Sequence, residues 1–223
     1  MDDTNFSPGR FAALLFDMDG TVLSSLASAE RIWAEWAREH DIDVEKFLPT
    51  IHGVQAVETI RRQALPGVDP KVEAARITRA EIDNVQGTEA IAGAAALLRD
   101  LPIDRWAVVT SAPRALAERR MAAAGLSLPS VMVTAEDVER SKPAPDGYLL
   151  AAKLLQVNIG DCLVFEDAPA GIEAGVTAGA SVIVVAALQS EPPKTRHTTI
   201  DSYQALRVAP GNGGVTVQLV GAD

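Results

Sequence analysis

Short apolar runs that alternate with alanine-rich, amphipathic segments constrain the fold more than any other feature of the sequence. Most runs lack the polar alternation of a half-exposed strand, so they indicate strands buried on both faces. The runs are Phe11–Phe16, Trp106–Thr110, Val131–Thr134, Cys162–Phe165 and Val182–Ala187, and the segments with helical periodicity are Ala115–Ala124, Asp146–Leu155 and Ala170–Ala178. This order predicts right-handed βαβ units and an α/β fold with a Rossmann-like, doubly wound parallel sheet.

The alternation stops between residues 26 and 86, where no strand pattern occurs. Helical patterns cover Leu26–His40, Gln55–Ala64 and Asp69–Val85, and proline-containing breaks separate them. We therefore expect a small helical domain, residues 24–89, inserted into an α/β domain made of residues 1–23 and 90–223. The C-terminal stretch after the Gly-Asn-Gly-Gly turn predicts one extra short strand.

Charge and composition exclude several classes of protein. The chain of 223 residues has a formal net charge of −10, so it has no general attraction to nucleic acid or anionic lipid. Its N-terminus is polar, and no apolar run approaches the roughly 18 residues of a membrane span, so we expect a cytoplasmic protein. The single cysteine, Cys162, follows the pattern of a small buried apolar side chain.

Two acidic residues, Asp17 and Asp19, follow the first apolar run directly. Side chains at positions i and i+2 of an extended chain point the same way, so these charges repel unless a cation lies nearby. Paired carboxylates suit Mg²⁺, although Asp and Gly are also common in plain solvated turns. A second pair, Glu166 and Asp167, ends another run. Two parallel strands that end in carboxylates can share one cation, and acids at a helix start are the compatible alternative.

Two further polar signals lie at strand ends or in the following loop. Thr110 and Ser111 end one run, where a hydroxyl and the backbone amides before a helix suit a phosphate, or serve simply as a helix cap. Lys142 precedes Pro143 in a proline-rich loop, where a rigidly held ammonium can neutralise carboxylates and bind an anion. The alternative is a lysine on the protein surface.

The four signals together resemble the motifs of the haloacid dehalogenase superfamily of phosphatases. The motifs read Asp17-Met-Asp19-Gly-Thr, Thr110-Ser111, Lys142-Pro143 and Glu166-Asp167, and the helical insertion matches the family's cap. Within the superfamily, the stretches Ile51-His52-Gly53 and Val164-Phe-Glu-Asp-Ala-Pro-Ala-Gly-Ile are similar to sugar and polyol phosphatases. These include bacterial hexitol phosphatases and yeast glycerol-phosphate and 2-deoxyglucose-6-phosphate phosphatases.

The resemblance implies an aspartyl-phosphate mechanism. Asp17 would be the nucleophile and Asp19 the acid and base. Mg²⁺ would be held by the Asp17 carboxylate, the Asp19 backbone carbonyl and Asp167, with Glu166 supporting them. The phosphoryl oxygens would bind Thr110, the Ser111 amide and Lys142.

The resemblance also implies a small phosphorylated sugar or polyol as substrate, held partly by the cap. We expect His52, Gly53 and Gln55 to face that substrate, and Arg114 to reach it from the core. Trp33 and Trp36 are expected in the interior of the cap. We expect a monomer.

Three alternatives remain open. A sugar phosphomutase of the β-phosphoglucomutase kind shares core and cap, but such relatives carry a histidine and a basic residue where this chain has Ala29 and Ala56. A dehalogenase lacks the second aspartate of the first motif. A phospho-receiver is about half as long and has no cap.

The chain also departs from many relatives in having Ser24-Ser25 in place of an acid, which removes a possible polar contact at the cap linker.

Overall fold

The computed structural model describes residues 9–51, 54–189, 194–211 and 213–220. The strands are β1 (Gly9–Phe11), β2 (Ala13–Phe16), β3 (Leu23–Ser24), β4 (Glu89–Ala90), β5 (Trp106–Val109), β6 (Val131–Val133), β7 (Cys162–Glu166), β8 (Ser181–Val185), β9 (Thr198–Ile200), β10 (Leu206–Gly211) and β11 (Gly214–Leu219). The α-helices are α1 (Leu26–Glu39), α2 (Val44–Phe47), α3 (Ala56–Arg62), α4 (Pro70–Asp83), α5 (Ala94–Asp100), α6 (Arg114–Ala123), α7 (Asp146–Leu154) and α8 (Pro169–Ala178).

Six parallel strands form the central sheet, in the order β6-β5-β2-β7-β8-β9. The predicted parallel α/β fold is therefore confirmed. Strand order reverses around β2, which lies between β5 and β7. The sequence pattern did not predict β9, because this edge strand is short and only Ile200 in it is buried.

Helices cover both faces of this sheet, as the doubly wound prediction requires. Side chains alternate along β2, so Leu14 and Phe16 pack on one face and Ala13 and Leu15 on the other. The first face is covered by α5, α6 and residues of the C-terminal strands. The second face packs against α7 and α8, and Cys162 is fully buried there, as expected.

A second, antiparallel sheet of three strands, in the order β1-β11-β10, lies beside the central one. Two strand predictions are corrected here. The run Phe11–Phe16 is two strands, because the chain changes sheets at Ala12, whose amide donates to the carbonyl of Asp161. The C-terminus contributes a hairpin, not one extra strand, and β11 pairs with both β10 and β1.

The helical insertion lies between β3 and β4, which pair antiparallel, so its two linkers run side by side. Helices α1 to α4 pack around their own apolar cluster, and no strand occurs among the described residues from 26 to 86. Trp33 and Trp36 are buried in this cluster, as predicted. No helix among the described residues is both long and apolar enough to cross a membrane.

Candidate active site

Three neighbouring strands deliver polar residues to one edge of the sheet. Asp17 follows β2, Thr110 follows β5, and Glu166 ends β7, with β2 in the middle. Phe16 is paired in register with Phe165, so Asp17 and Glu166 leave the sheet at the same level. The carboxyl edge of a parallel sheet at a reversal of strand order is where ligands bind in such folds.

Lys142 joins the acidic residues at this edge. Its Nζ donates to Asp17 Oδ1, to Glu166 Oε1 at 2.6 Å and to the carbonyl of Val109 at 3.0 Å. Only 8% of the lysine side chain is exposed. The alternative of a surface lysine is therefore wrong for Lys142, whose charge lies between two buried carboxylates.

Glu166 is held by four donors. Oε1 accepts from Lys142 and from the Tyr148 hydroxyl at 2.9 Å, and Oε2 accepts from the amides of Asp167 and Ala168 at 3.0 and 3.3 Å. A Cβ at position 171 would collide with this carboxylate, which explains glycine there. With both oxygens engaged, Glu166 is suited to orienting its neighbours.

Oxygen ligands for a divalent cation converge at the same point. Carboxylate oxygens of Asp17, Glu166 and Asp167 all lie within 4.8 Å of one another. A Cβ at position 20, where φ is +88°, would collide with the Asp167 carboxylate. The hydroxyl of Thr21 donates to Asp167 Oδ1 at 3.3 Å. This donor set fits a hard divalent metal, which members of the family typically use.

Burial sets the protonation behaviour of this cluster. It raises the pKa of Asp17 to about 7, against the attraction of Lys142, and it raises the pKa of Asp167 well above the ordinary range. Burial alone would lower the pKa of Lys142, but the charges of Asp17 and Glu166 raise it. A divalent cation beside these groups would favour the ionised carboxylates.

Asp19 has a separate set of partners. Its Oδ1 accepts from the Ser25 hydroxyl at 2.5 Å, and its Oδ2 accepts from Arg120 Nη1 at 3.0 Å. Ser25 thus supplies a polar contact at the linker, contrary to the expectation that Ser24-Ser25 removes one. The other arm of Arg120 donates to Glu81 of α4 at 3.1 Å, which links α6 of the α/β core to the insertion.

A cleft with a cavity volume of about 110 Å³ lies between the sheet edge and the insertion. Asp17, Asp19, Thr110, Ser111 and Lys142 all line it. The Thr110 hydroxyl accepts from the amide of Ala112 at 3.1 Å, just before α6. The described residues that line the cleft from the insertion are Ser25, Ala29, Trp33, Ile51, Val54, Ala56, Thr78 and Glu81.

The expected substrate contacts are only partly brought to this cleft. His52 and Gly53 lie outside the described residues. Gln55 lines a smaller adjoining cavity that shares Thr110, Ser111 and Lys142 with the main cleft. Arg114 does not line either cavity, because its guanidinium donates to the carbonyl of Met132 and to Asp137, both at 2.9 Å.

The sequence analysis missed Glu81 and Arg120. Both lie in helices with many other charged residues, and nothing in the local pattern distinguishes them from surface positions. Burial raises the pKa of Glu81, against the opposing effects of the Arg120 charge and of Trp33. The only sequence signal is the placement of Arg120 next to Met121 on the apolar side of α6.

Residues 11–179 match the family described as haloacid dehalogenase-like hydrolase. The chain therefore belongs to that family, and the sequence-based resemblance is confirmed. It is 43% identical over 216 residues to hexitol phosphatase A of Escherichia coli strain K12, covering 94% of this chain and 100% of the relative. It is 33% identical over 216 residues to glycerol-1-phosphate phosphohydrolase 2 of Saccharomyces cerevisiae, covering 90% and 86%.

Solved structures share the architecture at lower identity. The β-phosphoglucomutase of Clostridium difficile superimposes with a TM-score of 0.71 at 20% identity, over 86% of this chain and 91% of that one. This likeness concerns the fold alone.

Proposed function

We propose that this chain is a Mg²⁺-dependent phosphatase of small phosphorylated sugars or polyols, acting through an aspartyl-phosphate. Candidate substrates are hexose and hexitol phosphates, 2-deoxyglucose-6-phosphate and glycerol phosphate. The observation that carries the proposal is the cleft, which is lined by two aspartates, a buried lysine and a strand-end threonine. The names of the similar proteins support this substrate class.

Asp17 and Asp19 divide the covalent chemistry. A carboxylate oxygen of Asp17 attacks phosphorus while the bond from phosphorus to the leaving oxygen breaks, and Asp19 gives that oxygen its proton. Water then attacks the phosphorus of the aspartyl-phosphate. Asp19 takes the proton of that water, and inorganic phosphate and free Asp17 result. Lys142 is already hydrogen-bonded to Asp17 and supplies positive charge for the phosphoryl oxygens.

Asp17 and Asp167 would hold the metal, together with the backbone carbonyl of Asp19, and Glu166 would orient them. A bound Mg²⁺ would supply positive charge that neutralises the phosphoryl group. Thr110 and the amide of Ser111, ahead of α6, would bind the remaining phosphoryl oxygens.

The insertion, residues 24–89, would form a cap domain over a core of residues 1–23 and 90–223. Its apolar cluster is separate from the two clusters on the sheet, which supports this division. The cap would exclude bulk water and contact the leaving group.

Two alanines favour hydrolysis over the phosphomutase alternative. Ala29 and Ala56 both line the cleft from the insertion. Neither can transfer a proton to a sugar hydroxyl or bind a second phosphate, which a mutase requires at those positions.

A phosphate-release screen tests the proposal. The protein, with Mg²⁺, is supplied with glycerol 1-phosphate, hexitol phosphates and hexose phosphates, without any bisphosphate. We expect free phosphate from several of them, loss of activity in EDTA, recovery with Mg²⁺, and no turnover by Asp17→Asn. Isomerised sugar phosphate without free phosphate would show the mutase instead, and undiminished turnover by Asp17→Asn would contradict the mechanism.

A further inference from the structure

Glu81 and Arg120 form a buried ion pair in the wall of the cleft. Each side chain is only 8% exposed, and both line the cavity. Arg120 comes from α6 of the core and Glu81 from α4 of the insertion. In the described part of the cleft, this pair is distinct from the acidic cluster in which Lys142 bonds to Asp17 and Glu166.

Stability alone is a weak reason for this pair. Burying charges costs free energy that their attraction only partly repays, and well-packed apolar residues often serve as well or better. Apolar side chains also line this part of the cleft, among them Trp33 from the insertion and Leu116 from the core. If the only role of Glu81 and Arg120 were to join the insertion to the core, two apolar residues would serve equally well at these positions.

The location of the pair relates it to the leaving group. Arg120 contacts Asp19, the proposed donor of a proton to the leaving oxygen, and Glu81 lies on the other arm of the same guanidinium. The guanidinium of Arg120 thus bridges the carboxylates of Glu81 and Asp19. Atoms of the leaving group that adjoin the ester oxygen would lie beside this pair.

We propose that Glu81, oriented by Arg120, recognises hydroxyl groups of the leaving group and makes the enzyme selective for polyhydroxylated esters. This inference rests on the proposed function. Glu81 Oε1 is engaged by Arg120, while a carboxylate offers about four acceptor sites in all. A hydroxyl of the substrate donates to one of the others, and a site built for such a bond discriminates against a substrate without it.

The test compares glycerol 1-phosphate with propyl phosphate, which lacks the two hydroxyls. Wild type should have the higher kcat/KM for glycerol 1-phosphate. Glu81→Leu should lower the ratio of the two kcat/KM values, glycerol 1-phosphate over propyl phosphate, about 10- to 100-fold, the effect of one hydrogen bond to a charged group. A smaller loss common to both esters is also expected, because the variant removes a partner of Arg120 beside Asp19. Glu81→Gln keeps an acceptor for Arg120, so it tests the same selectivity if the leucine variant does not fold. The exposed Glu118 of α6 gives the controls Glu118→Gln and Glu118→Leu.

Equal losses for both esters in the Glu81 variants would overturn the inference and indicate a purely structural pair. Equal kcat/KM of wild type for both esters would also overturn it and leave the phosphatase proposal intact. No phosphate release from any ester by wild type would refute the proposed function, and this inference with it.

Discussion

Replacing the proposed nucleophile should stabilise the metal-free protein, even though it abolishes turnover. Burial raises the pKa of Asp17 from 3.8 to about 7 in the folded chain. The folded state therefore binds this proton more tightly than the unfolded state, and stability falls as pH rises between about 4 and 7. Three pKa units correspond to about 4 kcal/mol. Asp17→Asn removes the carboxylate, so the variant does not lose this stability as the pH rises.

The measurement is urea unfolding of wild type and Asp17→Asn in EDTA, at about pH 4.5 and about pH 8, near the two ends of the pH range over which Asp17 titrates. The variant should exceed wild type by up to about 4 kcal/mol at the higher pH and by little at the lower pH. Adding Mg²⁺ should stabilise wild type more than the variant, because the variant lacks one ligand charge. Asp104→Asn, at an exposed surface pair, is the matched control.

A metal-free Asp17→Asn protein that is less stable than wild type at pH 8 would refute this reasoning. It would mean that the ion pair with Lys142 outweighs the cost of burying the Asp17 charge.

Three further substitutions test the support around the site. Gly20→Ala should raise the Mg²⁺ concentration needed for half-maximal activity, because its Cβ would displace the Asp167 carboxylate and φ is +88°; a Mg²⁺ titration with unchanged half-saturation would contradict this. Tyr148→Phe removes the hydroxyl that donates to Glu166 and should cost about 1 kcal/mol in urea unfolding; no loss would mean that the other donors to Glu166 suffice. Trp36→Ala empties a position that is 1% exposed in the insertion and should cost about 3–5 kcal/mol in thermal unfolding; a cost under about 1 kcal/mol would mean that the cluster collapses into the gap.

Local patterns in the sequence were enough to predict the central strands and their helices. Fully apolar runs such as Ala13–Phe16 and Cys162–Phe165 indicate strands buried on both faces. The helical segments between such runs favour a parallel sheet with helices on both faces. The change of sheet at Ala12 and the pairing of β1 with β11 could not be predicted, because they depend on contacts between distant parts of the chain. Ala12 bonds to Asp161, and Gly9 pairs with Val217.

The acidic pairs, the threonine and the lysine of the motifs could also be identified from the sequence. Each follows an apolar strand or lies in a loop after one, and parallel strands bring such positions to one edge. The sequence by itself therefore predicted which polar side chains lie together around Asp17.

Only the tertiary structure determined the partners of Asp19. Ser25, Arg120 and Glu81 meet there from a linker, a core helix and an insertion helix, and Arg120 is 101 residues from Asp19 along the chain. A charged residue in a helix has the same local pattern whether it faces solvent or a buried carboxylate. What distinguishes the two is the packing of α4 against α6, which is a property of the folded chain.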